Sequence, residues 1–254
     1  MSGSHVHALY RHGMSPLHLA APQVKIVAAF GLVFAIALTP RTALWAFLVY
    51  ATIVVGLVAL ARLPLFFVAR RAVVLIPFLL VALLFPIVGS GERVDVVGLS
   101  LSQQGLWDLW NVVAKAVLGF TVAVVLAATT EVTDLLSGLD ALHMPRLVTS
   151  IIGFAVRYVD IVLGDFARMR IAVASRGHRG RSIATWGVYA KTVGAVFVRT
   201  YERGERIYLA MLSRGYRGTM PSAGAVPVPA VQWGLAFLLV GSAAGVMAVS
   251  RVLL

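Results

Sequence analysis

Residues 43–61 read ALWAFLVYATIVVGLVALA, 19 positions without a charged side chain. An α-helix rises 1.5 Å per residue, so about 20 residues cross a hydrocarbon layer of about 30 Å. Lipid offers the backbone no water to bond, so a run of this length reads as a membrane helix that satisfies its own amides. Four further apolar runs lie outward from it, at Gln23–Leu38, Val73–Val88, Val112–Ala128 and Val231–Val249. Pro77 and Pro86 are expected to kink the Val73–Val88 run. Trp233 stands at the edge of the last run, where an indole suits the membrane interface.

Composition agrees with that reading. Of 254 residues, 60% are apolar and 13% charged, and the mean hydropathy is +0.91. Soluble domains carry about 25% charged residues, and one core of this size could not hide so much apolar surface. A soluble enzyme and a disordered regulator are excluded. The 22 Lys and Arg against ten Asp and Glu give a net charge of +12. In a soluble chain that excess suggests nucleic acid, whereas in a membrane chain it encodes topology, because basic loops stay cytoplasmic. No nucleic-acid partner is expected. The absence of cysteine removes disulfides, thiolate metal sites and cysteine nucleophiles together.

More than twenty polar and mixed residues precede the first apolar run and further runs follow it, so it reads as a span rather than a cleaved signal peptide. Arg62, Arg70 and Arg71 lie between the second and third runs, and 13 cations from Arg146 to Arg217 lie between the fourth and fifth. The alternate connections hold only Arg41, Arg93 and Arg251, and the segment 89–111 is net acidic through Glu92, Asp95 and Asp108. With five spans these counts predict a cytoplasmic N-terminus and an extracytoplasmic C-terminus, in the cell membrane of a prokaryote. The expected division is a cytoplasmic segment 1–22, a four-helix membrane region 23–128, a cytoplasmic domain of long amphipathic helices 129–230, and a last membrane helix 231–254. The expected fold class is thus an all-α integral membrane protein.

Within 129–230, Val132, Leu135, Leu136, Leu139 and Leu142 recur at helical spacing. Pro145 is placed to open a second helix at its first position. That helix carries the apolar row Leu147, Ile151, Phe154, Tyr158 and Ile161 and extends to Ser175. A third helix near 182–213 puts Trp186, Val193, Phe197, Tyr201, Tyr208 and Met211 on one side, with Glu202 and Arg206 paired four apart on the other. These helices are expected to lie on the cytoplasmic face, partly in the interface. Two extra spans over 148–163 and 186–198 would leave both chain ends on the same sides, with Arg157 and Asp160 carried into lipid at a cost.

An internal repeat sits here. Residues 175–180 read SRGHRG and residues 213–218 read SRGYRG, each at the end of a long amphipathic helix, with Arg176 and Arg214 38 residues apart. Arg168 and Arg206 share one offset upstream. Each copy alone reads as a helix stop, with Arg complementing the dipole and Gly supplying the left-handed residue that ends the helix. Two near-identical copies point further. A guanidinium at a helix tip, beside a glycine that blocks nothing, can enter a groove and pair bidentately with a carboxylate. Twin tips suit a partner with two equivalent grooves.

These residues resemble the transmembrane T component of energy-coupling-factor (ECF) transporters, of the cobalt-transport CbiQ type, over nearly the whole chain. The start, Ser15-Pro16-Leu17-His18-Leu19 with Pro22 and Lys25, resembles the family's entry to the first span. Arg168-Met169-Arg170 through Ser175-Arg176-Gly177 resembles the first signature. Arg199, Glu202, Arg203, Glu205 and Arg206 followed by Ala210-Met211-Leu212-Ser213-Arg214-Gly215-Tyr216 resemble the second. Such motifs often begin Ala-Arg-Gly; here Ser replaces Ala in both. The resemblance implies two cytoplasmic ABC-type ATPase subunits, each receiving one coupling helix tip, and a separate membrane subunit that binds the substrate. On this view Ser175, Arg176, Gly177, Ser213, Arg214 and Gly215 transmit force. The chain itself binds no cofactor, and ATP and Mg belong to the partners. The implied cargo is cobalt, with nickel or a vitamin such as biotin as alternatives.

Only Lys25, Lys115 and Lys191 exist, and none sits in a phosphate-loop pattern, so the chain is not expected to hydrolyse ATP. It also lacks HExxH and G-x-S-x-G, and no enzyme is expected. His5, His7, His12 and His18 precede the first span and are metal-ligand candidates by residue type, although their spacing matches no defined site. Lys115 reads as a snorkelling residue and as a candidate contact with the substrate-binding subunit. A stand-alone metal channel or secondary carrier would need polar residues in several spans, and the spans hold few.

Overall fold

The computed structural model describes residues 10–11, 13, 15–89, 93–96, 99–177, 183–217 and 228–252. The helices in chain order are α1 (Pro16–Leu19), α2 (Pro22–Leu38), α3 (Leu44–Leu60), α4 (Leu65–Ala72), α5 (Ile76–Ala82) and α6 (Phe85–Val88). They continue as α7 (Gln103–Thr129), α8 (Val132–Ala141), α9 (Arg146–Ser175), α10 (Ile183–Leu212) and α11 (Ala230–Val252). A short antiparallel hairpin, β1 (Arg93–Val96) with β2 (Leu99–Ser102), stands between α6 and α7, pairing Arg93 with Ser102. The chain divides into two compact units, one over Leu139–Ala225 and the other over Leu9–Gly138 with Val226–Leu254.

The larger unit is a helical bundle that contains all five runs expected as spans, and each of them is helical. The run around Pro77 and Pro86 is longer than its apolar core suggested: it starts at Leu65 and breaks into α4, a 3₁₀ turn at Val73–Leu75, α5 and α6. Pro77 and Pro86 each fall in the first turn of a new piece, where a proline lacks nothing it would otherwise donate. The fourth span also begins early, at Gln103, because Ser102 accepts a bond from the Gly105 N–H at 3.3 Å and so starts the helix two polar turns before the apolar stretch. Among the described residues four stretches have a span's length and apolarity, namely Leu65–Val88, Gln103–Thr129, Leu147–Ser175 and Ala230–Val252, while α2 and α3 are shorter apolar helices.

Helix α2 packs against α11 and α7, and α3 against α7 and α11. Leu32, Ile36, Phe47, Tyr50, Leu118 and Ala243 form the core between them. At Gly31 an added Cβ would lie 2.7 Å from a Val240 methyl, so the missing side chain is what lets α2 and α11 approach. Buried polar groups close on each other: Thr39 Oγ1 donates to Ala35 O at 2.8 Å, and Tyr50 Oη donates to Ala243 O at 3.1 Å.

Cations gather at both ends of the bundle, in different roles. At one end Lys25 Nζ donates to Thr129 O at 2.9 Å and His18 O at 3.3 Å, the Arg11 N–H donates to Ala128 O, and the Arg71 guanidinium lies 3.8 Å over the Phe67 ring. At the other end the terminal carbonyls of α2 are capped by Lys115 Nζ on Ala37 O at 2.8 Å and Arg251 Nη2 on Leu38 O at 3.1 Å. Beside them Arg41 pairs with Asp108 at 2.6 Å.

Candidate functional site

The repeated motif closes two helices of equal length. Both α9 and α10 run for 30 residues, and each gives way to the glycine of its Ser-Arg-Gly. Gly177 has φ 87° and Gly215 has φ 84°, the left-handed conformation that only glycine adopts without penalty. The Gly215 N–H donates to Leu212 O at 3.0 Å and the Tyr216 N–H to Met211 O at 3.0 Å, the two bonds of a Schellman cap. In the first copy the Gly177 N–H donates to Ala174 O at 3.1 Å. Pro145 corrects the expectation for the start of α9: it is the N-cap residue, with ψ 124°, rather than the first helical position.

The serines turn inward. Ser175 Oγ donates to Ala172 O at 3.0 Å and Ser213 Oγ to Ala210 O at 2.9 Å, so both hydroxyls reinforce the last turn of their own helix. The arginines do not. Arg176 and Arg214 are exposed and belong to none of the ion pairs found among the described residues. A Cβ added at Gly177 or Gly215 would meet nothing within 4 Å, so each guanidinium stands at a bare tip. Residues 178–180 and Gly218 lie outside the described residues.

Behind the tips the two helices are joined by charge. Asp165 Oδ2 accepts from Arg203 Nη1 of α10 at 3.1 Å, while its other oxygen accepts from Arg168 one turn on. Asp165 was not among the expected site residues. The 38-residue period carried the signal, since it places the opposite charges Asp165 and Arg203 at equivalent positions. The expected Glu202–Arg206 pair does not form; both side chains are exposed and apart. Much of the apolar surface of both helices is exposed, Leu147 by 66%, Trp186 by 73% and Phe197 by 69%, while Phe154 and Tyr158 are half-buried and Val196 is buried.

His18 and Lys115 are already engaged. The His18 Nε2 donates to Arg11 O at 2.9 Å and Nδ1 faces Ser15 Oγ at 2.6 Å, so both ring nitrogens hold the chain rather than stand ready for a metal. His5, His7 and His12 lie outside the described residues, and among those described no three His, Asp or Glu side chains gather as metal ligands. The resemblance at the chain start becomes intelligible in the same geometry: Ser15 caps α1, Pro22 opens α2, and Lys25 caps α7.

The family profile described as "Cobalt transport protein" (CbiQ) matches residues 13–223. The cobalt transport protein CbiQ of Rhodobacter capsulatus is 30% identical over 162 residues, 63% of this chain and 64% of that protein. A putative fused cobalt transport protein CbiMQ of Methanocorpusculum labreanum is 28% identical over 149 residues, 55% of this chain and 24% of that protein. The matched stretch thus spans less than two thirds of the length of either relative. An energy-coupling factor transporter transmembrane protein EcfT of Bacillus selenitireducens is 26% identical over 240 residues, 89% of this chain and 88% of that protein.

Proposed function

The chain belongs to the CbiQ family, the membrane component of cobalt and energy-coupling-factor transporters, and from that premise we propose that it couples ATP hydrolysis by two cytoplasmic ABC-type ATPase subunits to a separate membrane subunit that carries the substrate. The supporting observation is the matched pair of bare, cationic helix tips, Ser175-Arg176-Gly177 and Ser213-Arg214-Gly215. Each guanidinium has unspent donors and a neighbour without a side chain, so it can seat in a groove and meet a carboxylate with both arms. Two equivalent tips match an ATPase dimer. Closure of that dimer on ATP displaces both tips, and the rigid helices behind them carry the displacement to the bare faces around Trp186 and Phe197, where the substrate-binding subunit docks.

Helices α9 and α10 act on this reading outside the hydrocarbon. Arg157, Asp160, Asp165, Arg168 and Arg170 all lie on α9, and five charges on one span would be costly in lipid. The bundle end that gathers Arg11, Lys25 and Arg71 faces the cytoplasm, and the end with Arg41, Asp108 and Arg251 faces out. ATP and Mg reside on the partners, and no reaction is assigned to this chain. Cobalt as the cargo rests on the names of the relatives, because the substrate pocket lies in another subunit. A carrier of metal by this chain alone is disfavoured by the bundle, where Tyr50 and Thr39 inside and Lys25 and Lys115 at the two ends are spent on backbone carbonyls.

The test is reconstitution with the ATPase pair after Arg176→Glu and Arg214→Glu. Removing one partner of an interfacial charge pair typically costs about 2–5 kcal/mol, so each variant is expected to lose most ATP-driven uptake of labelled cobalt while still folding in the membrane. Full uptake by both single variants and the double variant would refute the coupling role.

A further inference from the structure

The two tips stand at equal distances from one contact. Arg176 follows Asp165 by 11 residues and Arg214 follows Arg203 by 11, an arm of about 16 Å at the α-helical rise. Asp165 and Arg203 touch across the helix pair at 3.1 Å and are 38 residues apart, the period of the repeat itself. Two helices of equal length that touch at equivalent positions are related by an approximate two-fold axis through the contact, and such an axis sets each position against its own counterpart. A faithful repeat would bring like charges together there. This chain instead has Asp on one helix and Arg on the other, which turns the axial contact from repulsive to attractive. The carboxylate is the sheltered partner, its side chain 18% exposed against 71% for Arg168, which holds the second oxygen from outside.

We propose that the Asp165–Arg203 pair is the pivot that sets the spacing of the two arginine tips, with Arg168 aiming the carboxylate. Because the arms are equal, rotation about the pivot moves both tips by the same amount, and their separation cannot exceed about 33 Å. Asp165 and Arg203 are positioning residues that act through Arg176 and Arg214. The use of the pivot in transport rests on the coupling role proposed above; its geometry does not.

The chain has no cysteine, so Ala172→Cys and Ala210→Cys, exposed and equivalent positions seven residues beyond the pivot, can carry spin labels without other changes. Distances are measured on the full chain in lipid nanodiscs, alone and with its ATPase partners. The expected result is one narrow distance population, which falls about two- to five-fold on Asp165→Asn or Arg203→Ala, the range for a partly exposed pair, and returns with Asp165→Glu. In the complex, substrate moved per ATP hydrolysed should fall with it while the ATPases still co-purify. An unchanged narrow population in both Asp165→Asn and Arg203→Ala would overturn the pivot. If the distances respond while Arg176→Glu and Arg214→Glu leave uptake intact, the pivot stands and the coupling role falls.

Discussion

The bundle and the α9–α10 pair are built from similar helices but held by different means. In the bundle, side chains such as Leu32, Tyr50 and Ala243 are fully enclosed, and every lysine of α2 and α7 closes on a carbonyl. In the pair, no residue of α9 with described burial is buried, α10 buries only Thr192 and Val196 among the described residues, much of both apolar rows stays open, and the ion pair at Asp165 links the two helices. The bundle therefore has an enclosed core specified by close packing, with apolar side chains such as Phe30, Leu48 and Phe78 exposed around its outside. The pair is unfinished by itself: its apolar faces and cationic tips have the character of surfaces completed by something else.

The same substitution should separate the two regions by sign. At Gly31, alanine places a methyl within 3 Å of both Val240 methyls, and at Gly105 within 2.2 Å of the Phe85 carbonyl oxygen. Overpacking of this kind costs about 1–3 kcal/mol, so Gly31→Ala and Gly105→Ala should lower the unfolding midpoint in detergent, and Val240→Ala should rescue only the first. At Gly153 and Gly194 an added Cβ meets nothing within 4 Å, and alanine there should stabilise the isolated chain by about 0.5–1 kcal/mol through helix propensity. A loss of stability at Gly153 or Gly194 in the isolated chain would show that the pair is as tightly packed as the bundle.

A smaller effect tests the helix ends. Arg62 (φ 53°) and His143 (φ 62°) occupy the left-handed position that Gly177 and Gly215 fill elsewhere, and the bonds around them have the same pattern, Leu63 N–H to Val58 O at 3.2 Å and Met144 N–H to Leu139 O at 3.2 Å. A side chain there carries a penalty that glycine lacks. Arg62→Gly and His143→Gly should thus be neutral or stabilise by up to about 1 kcal/mol, read from the unfolding midpoint, whereas Gly215→Ala should fray the second tip, read as faster amide exchange at Tyr216.

The smallest expected effect is that of pH on the pivot. The Arg168 hydrogen bond, with the charge of Arg203 in addition, holds the Asp165 carboxyl below the usual carboxylate range, against some desolvation. A depressed folded-state pKa stabilises the clasp fully above the ordinary aspartate value of about 3.9, and the contribution is lost as pH falls through the lower folded value. The 172–210 label distance should therefore stay constant from alkaline pH down to about 5 and broaden only in acid below about 4. Broadening between pH 6 and 8 would assign the clasp to another titrating group.

Much of this was legible in residue order. The five apolar runs each located a helix of the bundle, and Ser-Arg-Gly located both tips, because a helix and a Schellman cap are each decided by backbone bonds that reach only three to five residues along the chain. The acidic connection 89–111 was not read as a hairpin, since its eight paired residues form too short an alternation to stand out. The early start of α7 was missed because a serine cap extends a helix irrespective of hydropathy. Lys115 and His18 looked available because nothing local reveals that carbonyls of Ala37 and Arg11 come to meet them. The sequence alone thus determined where helices run and where they stop. Only the tertiary structure decided which cations are spent and which stay free, and that Asp165 meets Arg203, because those pairings depend on how helices distant along the chain approach one another in space.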